Sequence, residues 1–368
     1  MVKHADTKMV SAVSTFFVFI SACFTTMGSL FDHIGQNNFR TGPEPANLAL
    51  MFELVQQPVR SQIMRYGAWK RQNDAFLQMG SLGHRIRAGN LADITASHAT
   101  AISLLGVAPP RGLDPRTHIV VKEWRNHRHI NNVVCHYSKN ADMLGATIDV
   151  AGYSCSSPEA VFAQMSQYLE LEDLIALGDA LMCRDRLLRR TTKYLLARFL
   201  ADCERFRGSR KCCKALRLIR EDTDSPRETY LRLWLLRYGL PEPTVNYEVQ
   251  DGSRQRFYLD LAYPEYRVGV EYNGRHHHGQ WAEDLDRFNT FQSRGWHIFV
   301  AESRMVDNHL WRARFISEIA RALYNAGATD INIRPKPLPV SQLCDGRTAV
   351  NRRYPNEALN HLSAGLLS

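Results

Sequence analysis

Between Ser225 and Gly327 the apolar period changes from helical to alternating and back, and that succession limits the fold more than any other feature of the chain. Ser225 suits an N-cap, Pro226 the first helical position and Glu228 the third, which makes a capping box. Leu231, Leu235 and Leu236 then supply an inner stripe that runs to Gly239. Val245 to Gln250 reads as a strand, Asp251-Gly252 as its turn, and Arg256 to Ala262 as the next strand. Pro264 to Tyr266 turns the chain and Arg267 to Tyr272 runs back. A helix from about Trp281 to Arg294 stops at Gly295, a strand covers Trp296 to Ala301, and a helix from about Asp307 ends near Gly327. The order α-β-β-β-α-β-α predicts an α/β unit.

Two carboxylates stand out in it. If Phe257, Leu259 and Leu261 share one face of their strand, Asp260 lies on the other beside Tyr258 and Ala262. In the returning strand Val268, Val270 and Tyr272 share a face, leaving Gly269, Glu271 and Asn273 together. A hairpin centred between Glu265 and Tyr266 pairs positions whose numbers sum to 531, which sets Asp260 opposite Glu271. Facing carboxylates repel unless something positive sits between them, and hard Mg²⁺ prefers such oxygens, with Mn²⁺ as a substitute. Glu228 is a third candidate, since it leans toward the apolar side of its helix; as a capping-box member it also needs no metal. Just past Glu271 come His276, His277 and His278. An imidazole there can relay a proton, and His277 is the one assigned to the site; a histidine-rich solvent loop is the alternative.

Charge is unevenly spread. The 368 residues carry 46 Lys+Arg against 37 Asp+Glu, a net of +9, which favours an anionic partner, nucleic acid or a lipid surface. Arg184 to Arg220 holds thirteen Lys/Arg and three acids, a local +10, whereas Glu221 to Gly327 is at −3. Apolar residues recur inside the basic segment, so it reads as a helical pair with one buried side. Its charges form either a solvated face or a phosphate-tracking surface, for which Arg189, Arg190, Lys193, Arg210, Lys211 and Lys214 are the candidates.

Upstream, residues from about Met51 to Leu91 read as helical. Thr95 to Gly106 has the small and apolar residues of a packed helix with Gly106 beyond its end. Thr117 to Lys122 and His129 to Tyr137 are β-rich runs separated by a basic turn, Trp124 to Arg128. A short strand near Ala146 to Val150 precedes a helix start at Ser156 to Glu159, and helices continue past Asp179. The segment from Ala328 to Ser368, with Pro335, Pro337, Pro339 and Pro355, reads as a loosely packed tail. From Met9 to Phe31 no residue is charged for 23 positions, but seven are Ser or Thr and the flanking charge is weak. An anchor or signal, a buried helix and an over-extended start, with Met27 and Met51 downstream, are the readings of that stretch. Eight cysteines without a C-x-x-C pair argue against a zinc ribbon or disulfide scaffold and fit a reducing cytoplasm. Phosphate-binding glycine loops and the G-x-S-x-G elbow are absent, so nucleotide-cofactor and α/β-hydrolase classes lack their marks.

Taken together, S-P-R-E at 225–228, a strand carrying Asp260, E-Y-N-G-R-H-H at 271–277, D-x-x-R at 284–287 and G-W-H-I-F-V at 295–300 resemble the Vsr-like branch of the PD-(D/E)xK nuclease superfamily. That family combines a helix Glu, a strand Asp, E-x-D-G-x-x-H, D-x-x-R and a G-W strand on an αβββαβ restriction-endonuclease-like core. The resemblance spans about residues 221 to 326. It implies Glu228, Asp260 and Glu271 near a metal, His277 as proton carrier, and Asp284 with Arg287 as a supporting helix pair. Asn273 departs from the pattern, standing where the branch has Asp and the wider superfamily often has Lys. S-H-A-T-A-I-S-L-L-G at 97–106 and L-E-D-L-I-A-L-G-D-A-L at 171–181 are similar to AbiEi-type proteins of type IV toxin–antitoxin systems. The expected organisation is therefore an extension with an apolar segment (1–50), an AbiEi-like α+β region ending in basic helices (51–220), the endonuclease-like domain (221–327) and a tail (328–368). The expected activity is metal-dependent hydrolysis of DNA phosphodiesters in repair or phage defence. A catalytically weak DNA-binding regulator, with a toxin–antitoxin partner, is the alternative.

Overall fold

A computed structural model describes residues 59–85, 94–127, 129–249, 257–273, 289–302, 308–329 and 331–344. Met9 to Phe31, His277, Asp284, Arg287, the start of the helix expected from Trp281, and the chain after residue 344 lie outside the described residues. The architecture is mixed α/β, with two mixed sheets.

The first sheet has the order β3-β2-β1-β5-β4. Its strands are β1 (Thr95–Ala96), β2 (Thr117–Val121), β3 (Val133–Tyr137), β4 (Thr147–Val150) and β5 (Tyr153–Ser156). Around it lie α1 (Val59–Arg85), α2 (His98–Leu104), α3 (Pro158–Met165), α4 (Leu171–Leu181), α5 (Lys193–Asp202) and α6 (Ser209–Leu218). The segment expected to be one helix from Thr95 begins as a strand, because Thr95 and Ala96 pair with Val120 and Ile119 of β2 before Ser97 starts α2. β5 was not anticipated from the sequence. It pairs antiparallel with β4 and in parallel with β1, joining the hairpin to the rest of the sheet. β2 and β3 run parallel in register Thr117↔Val133 to Val121↔Tyr137, despite a short connection. The helix start at Ser157 is formed as expected: its hydroxyl accepts the Ala160 N–H and Pro158 occupies the first turn.

The second sheet has the order β6-β7-β8-β9, from β6 (Thr244–Val249), β7 (Phe257–Tyr263), β8 (Val268–Asn273) and β9 (His297–Glu302). The first three are antiparallel neighbours, and β9 joins parallel to β8. α7 (Pro226–Arg237) precedes the sheet, residues 289–293 form a helical turn before β9, and α8 (His309–Asn325) follows. Asn308 caps α8 by accepting the Leu310 and Trp311 N–H groups.

α7 joins the two halves. Leu233 and Leu236 pack into the core of the first sheet and its helices, whereas Leu231, Trp234 and Leu235 pack against β7, β8 and α8. A helix buried on both sides needs apolar residues all round, so its single expected stripe is too narrow a description. The joint is also polar. Asp179 of α4 and Arg232 of α7, both fully buried, form an ion pair at 3.0 Å. Arg232 also reaches Glu242 and the Leu218 carbonyl, and Asp179 accepts from the Arg220 N–H and the Thr229 hydroxyl. A methyl group on Gly178 would lie 2.7 Å from Ile219, so glycine there permits the close approach of α4 to the end of α6.

The expected loose tail is corrected over its first part. The Asn332, Arg334 and Leu338 N–H groups bond to the carbonyls of Gly239, Tyr238 and Arg237. The short α9 (Val340–Leu343) then buries Val340, Leu343 and Cys344 in the first core. Prolines at 335, 337 and 339 keep this strap extended without removing the donors it uses. Among the described residues no helix is long and apolar enough to cross a membrane. All seven described cysteines are free thiols.

Candidate functional site

Leu261↔Val270, Ala262↔Gly269 and Tyr263↔Val268 are paired, which is the register of sum 531, and its continuation sets Asp260 against Glu271. Val268 and Val270 pack toward α7 and α8, leaving Gly269 and Glu271 on the opposite face. The side assigned to β7 is corrected. Leu259 packs with Ala262, Phe291 and Trp296, and a methyl group on Gly269 would meet Leu259 at 2.9 Å; Leu261 instead belongs to the α7 side. The alternation therefore breaks at Asp260. Opposite it, Asn246 adopts a left-handed φ of 43°, and Asn246 and Asp260 are omitted from the β6–β7 ladder. The register is the same on both sides of the gap, so the ladder is interrupted at this one pair without an inserted residue. The Asp260 carboxylate takes the Tyr272 N–H at 2.9 Å, bridging the two strands where their ladder ends.

Asp260 and Glu271 are 2% and 8% exposed, so both acids are held out of bulk solvent. Glu228, 1% exposed, serves its helix start: it accepts from the Ser225 hydroxyl at 2.9 Å, the Asp224 N–H at 3.1 Å and the Asn246 amide at 3.4 Å. The capping reading of Glu228 thus has direct geometry. Asn273 ends β8 and pairs in register with Glu302 of β9, an acid the sequence reading did not single out. The only signal for Glu302 was its place at the end of the G-W strand.

The candidate DNA-binding cations divide into two groups. Arg189 is paired with Asp222 and donates to the Cys183 carbonyl; Arg190 donates to the Leu105 carbonyl at 2.7 Å. Lys193 donates to Ile219 and Lys211 to Leu169. These four are half-buried and each serves a backbone carbonyl, because carbonyls at helix ends and turns need partners. Arg210 and Lys214 are exposed as expected, together with Arg186, Arg198, Arg205 and Arg207.

A second constellation is in the first sheet. One ring nitrogen from each of His98, His118 and His136 lies within 4.8 Å of the other two, the only such trio of His, Cys, Asp or Glu among the described residues. His118 and His136 sit on parallel neighbours β2 and β3, two positions apart on one face because Val120 pairs with His136. The His118 Nδ1 and His136 Nε2 atoms are 2.9 Å apart. His98 enters from the start of α2 with a left-handed φ of 49°, and its ring stacks on His136 at 3.6 Å. Each ring has a further polar neighbour: His98 Nδ1 has the Ser97 hydroxyl at 2.9 Å, His136 Nδ1 the Tyr168 hydroxyl at 3.2 Å, and His118 Nε2 has Asp114 at 3.8 Å. Burial pushes the His98 pKa down to about 2 and that of His136 to about 4, with neighbouring histidines adding to it, and burial lowers His118 as well. All three are neutral at pH 7. Sequence reading missed them because three single histidines spread over 39 positions have no motif spacing.

The chain matches no protein-family model, and neither the curated proteins nor the solved structures include a significant match to it.

Proposed function

We propose that the chain is a metal-dependent DNA endonuclease whose reacting centre lies at Asp260 and Glu271. What supports this reading is that Asp260 and Glu271 are both buried, at positions that the continued β7–β8 register sets opposite each other, beside a break in the β6–β7 ladder, within an α-β-β-β-α-β succession whose second helix is described over residues 289–293. It is the arrangement that the resemblance to the PD-(D/E)xK superfamily implies. Their oxygens are the donors that Mg²⁺ or Mn²⁺ takes, so the residues fit the ion. Bound there, such an ion supplies Lewis-acid stabilisation of a phosphodiester and lowers the pKa of water. The protein's part is positioning: the Tyr272 N–H holds one Asp260 oxygen and so fixes the orientation of that carboxylate between the two strands. His277, Asp284 and Arg287 complete the site in this reading, as proton carrier and supporting pair. Exposed cations around the α5–α6 turn supply affinity for the phosphate backbone.

A second reading, an AbiEi-type DNA-binding regulator on the same scaffold, is favoured by Glu228. Its oxygens are used by the helix cap, which removes one of the three carboxylates the nuclease pattern offers, and Asn273 supplies no replacement charge.

The deciding experiment incubates purified protein with supercoiled plasmid and Mg²⁺ or Mn²⁺, beside Asp260→Ala. Nicking or linearisation by the parent, lost in Asp260→Ala with salt-sensitive DNA binding retained, is expected. Equal metal-dependent cleavage by both proteins defeats the assignment of the site. An inert parent that gains cleavage with Asn273→Asp establishes the second reading.

A further inference from the structure

We propose that His98, His118 and His136 form a binding site for one borderline divalent transition-metal ion of the Zn²⁺ class. The inference does not rest on the nuclease reading, since it concerns another sheet and a different donor set.

Three observations converge on it. The first is unsatisfied capacity: His98 is 3% exposed, yet its Nε2 atom has no hydrogen-bond partner. A buried ring nitrogen left without a partner is costly, and three imidazoles gathered within 4.8 Å of one another make that cost hard to explain as packing alone. The second is backbone strain. His98 is held at φ 49°, a region few non-glycine residues occupy, and such outliers gather at binding and catalytic positions. The third is the outer layer. Ligating imidazoles characteristically hold their second nitrogen against a polar partner, which fixes the ring. Ser97 does this for His98 and Tyr168 for His136, and Asp114 stands 3.8 Å from His118. That leaves His98 Nε2, which has no partner, and the His118 Nδ1 and His136 Nε2 atoms, which bond to each other at 2.9 Å and exchange that bond for the ion in this proposal.

Donor chemistry selects the class. Neutral imidazole suits zinc, copper, nickel and iron, whereas Mg²⁺ and Ca²⁺ take oxygen. Two nitrogens at tetrahedral zinc lie about 3.3 Å apart, given bonds of about 2.0–2.1 Å. The His118–His136 pair at 2.9 Å must widen by a few tenths of an ångström, and the His98–His136 stack must open. Three protein ligands leave a fourth position for water or a substrate, the pattern of catalytic rather than structural zinc. His136 is half-buried and its partner Tyr168 is exposed, so solvent reaches the cluster from that side; Arg207, exposed, acts electrostatically on Tyr168. An anionic ligand is the type that side admits.

The test uses the full chain, stripped with a chelator and then equilibrated with Zn²⁺ or Co²⁺. One ion per chain is expected, with a tetrahedral Co²⁺ visible spectrum and a rise in Tm on Zn²⁺ addition. His136→Gln lowers the affinity at least tenfold with an unchanged far-UV spectrum. Tyr168→Phe, at an exposed position, lowers it roughly 10-fold, the loss typical of outer partners. Replacing His276, His277 and His278 together by alanine leaves the stoichiometry at one. No stoichiometric ion in the folded parent overturns the proposal. So does an ion retained in His136→Gln but lost when the 276–278 run is replaced.

Discussion

Lys193 shows how far a charge can be taken from its expected role by one neighbour. It opens α5, and its ammonium points at the Ile219 carbonyl that ends α6, while its own N–H is taken by Glu221. Burial, followed by the charge of Arg220, pushes its pKa from the ordinary lysine value down to about 8. Between that value and the unfolded one the unfolded chain binds the extra proton, so stability contributed by this group rises with pH. Below about pH 8 both states are protonated and the desolvation penalty, on the order of 3 kcal/mol, is fully present. Lys193→Met is therefore expected to be more stable than the parent near neutral pH, with the advantage shrinking between about pH 8 and 10. Urea midpoints of both proteins across that range check it, and the difference cancels the buried thiols, which titrate with the opposite sign. A gap that is constant with pH removes the explanation.

At the scale of elements, α4 and α7 meet through Asp179, Arg232 and Glu242, and the motif acid Asp179 is used entirely inside the protein. Removing Arg232 leaves Asp179 buried without a cation, whereas removing Asp179 leaves Arg232 with Glu242. Arg232→Met is expected to lose about 3–5 kcal/mol in urea unfolding, and Asp179→Ala less, because Glu242 still pairs Arg232. Asp179→Ala combined with Arg232→Met should lose less than the sum of the single changes, because neither charge of the pair is left facing a missing partner. Additive losses would show that the pair is not the coupled unit its 3.0 Å separation indicates. The same joint explains why the boundary expected at residue 220 does not separate two cores: one face of α7 belongs to each.

For the whole molecule the consequence is a redistribution of charge. Of the thirteen cations between Arg184 and Arg220, Arg184, Arg189, Arg217 and Arg220 bond to acids or carbonyls along with Arg190, Lys193 and Lys211. The exposed remainder clusters in sequence about the α5–α6 turn, which is held to the first sheet by reciprocal bonds between Asn140 and Glu204. If the protein holds DNA by phosphates, those residues set the salt dependence. Replacing Arg205, Arg207, Arg210 and Lys214 by alanine should reduce the slope of log K against log salt by up to about 0.9 for each phosphate no longer neutralised. Arg189→Ala should leave the slope alone and lower stability instead. Fluorescence anisotropy on a random duplex at several salt concentrations separates the two results, and equal slopes for parent and quadruple variant would place the DNA surface elsewhere.

By itself the sequence determined the succession of elements in the second half, the cap at Ser225 and the pairing sum of 531 across β7 and β8. These depend on interactions between near neighbours: a cap acts over three residues, and a short turn leaves an antiparallel ladder little choice of register. The alternation along β7 escaped that logic, since Leu259 and Leu261 fall on different faces where the β6–β7 ladder is interrupted at Asn246 and Asp260. Tertiary structure alone decided which cations stay in water, because the carbonyls that claim Lys193, Arg190 and Lys211 come from segments 26 to 85 residues away. It also decided that residues 331–344 form a strap and that three scattered histidines meet. Alternation puts His118 in step with Val120 and His136 in step with Val134, but only the parallel pairing of β2 with β3 and the entry of α2 bring their nitrogens together. Loop-closing pairings of that kind are chosen by the burial of the whole core and leave no local spacing to read.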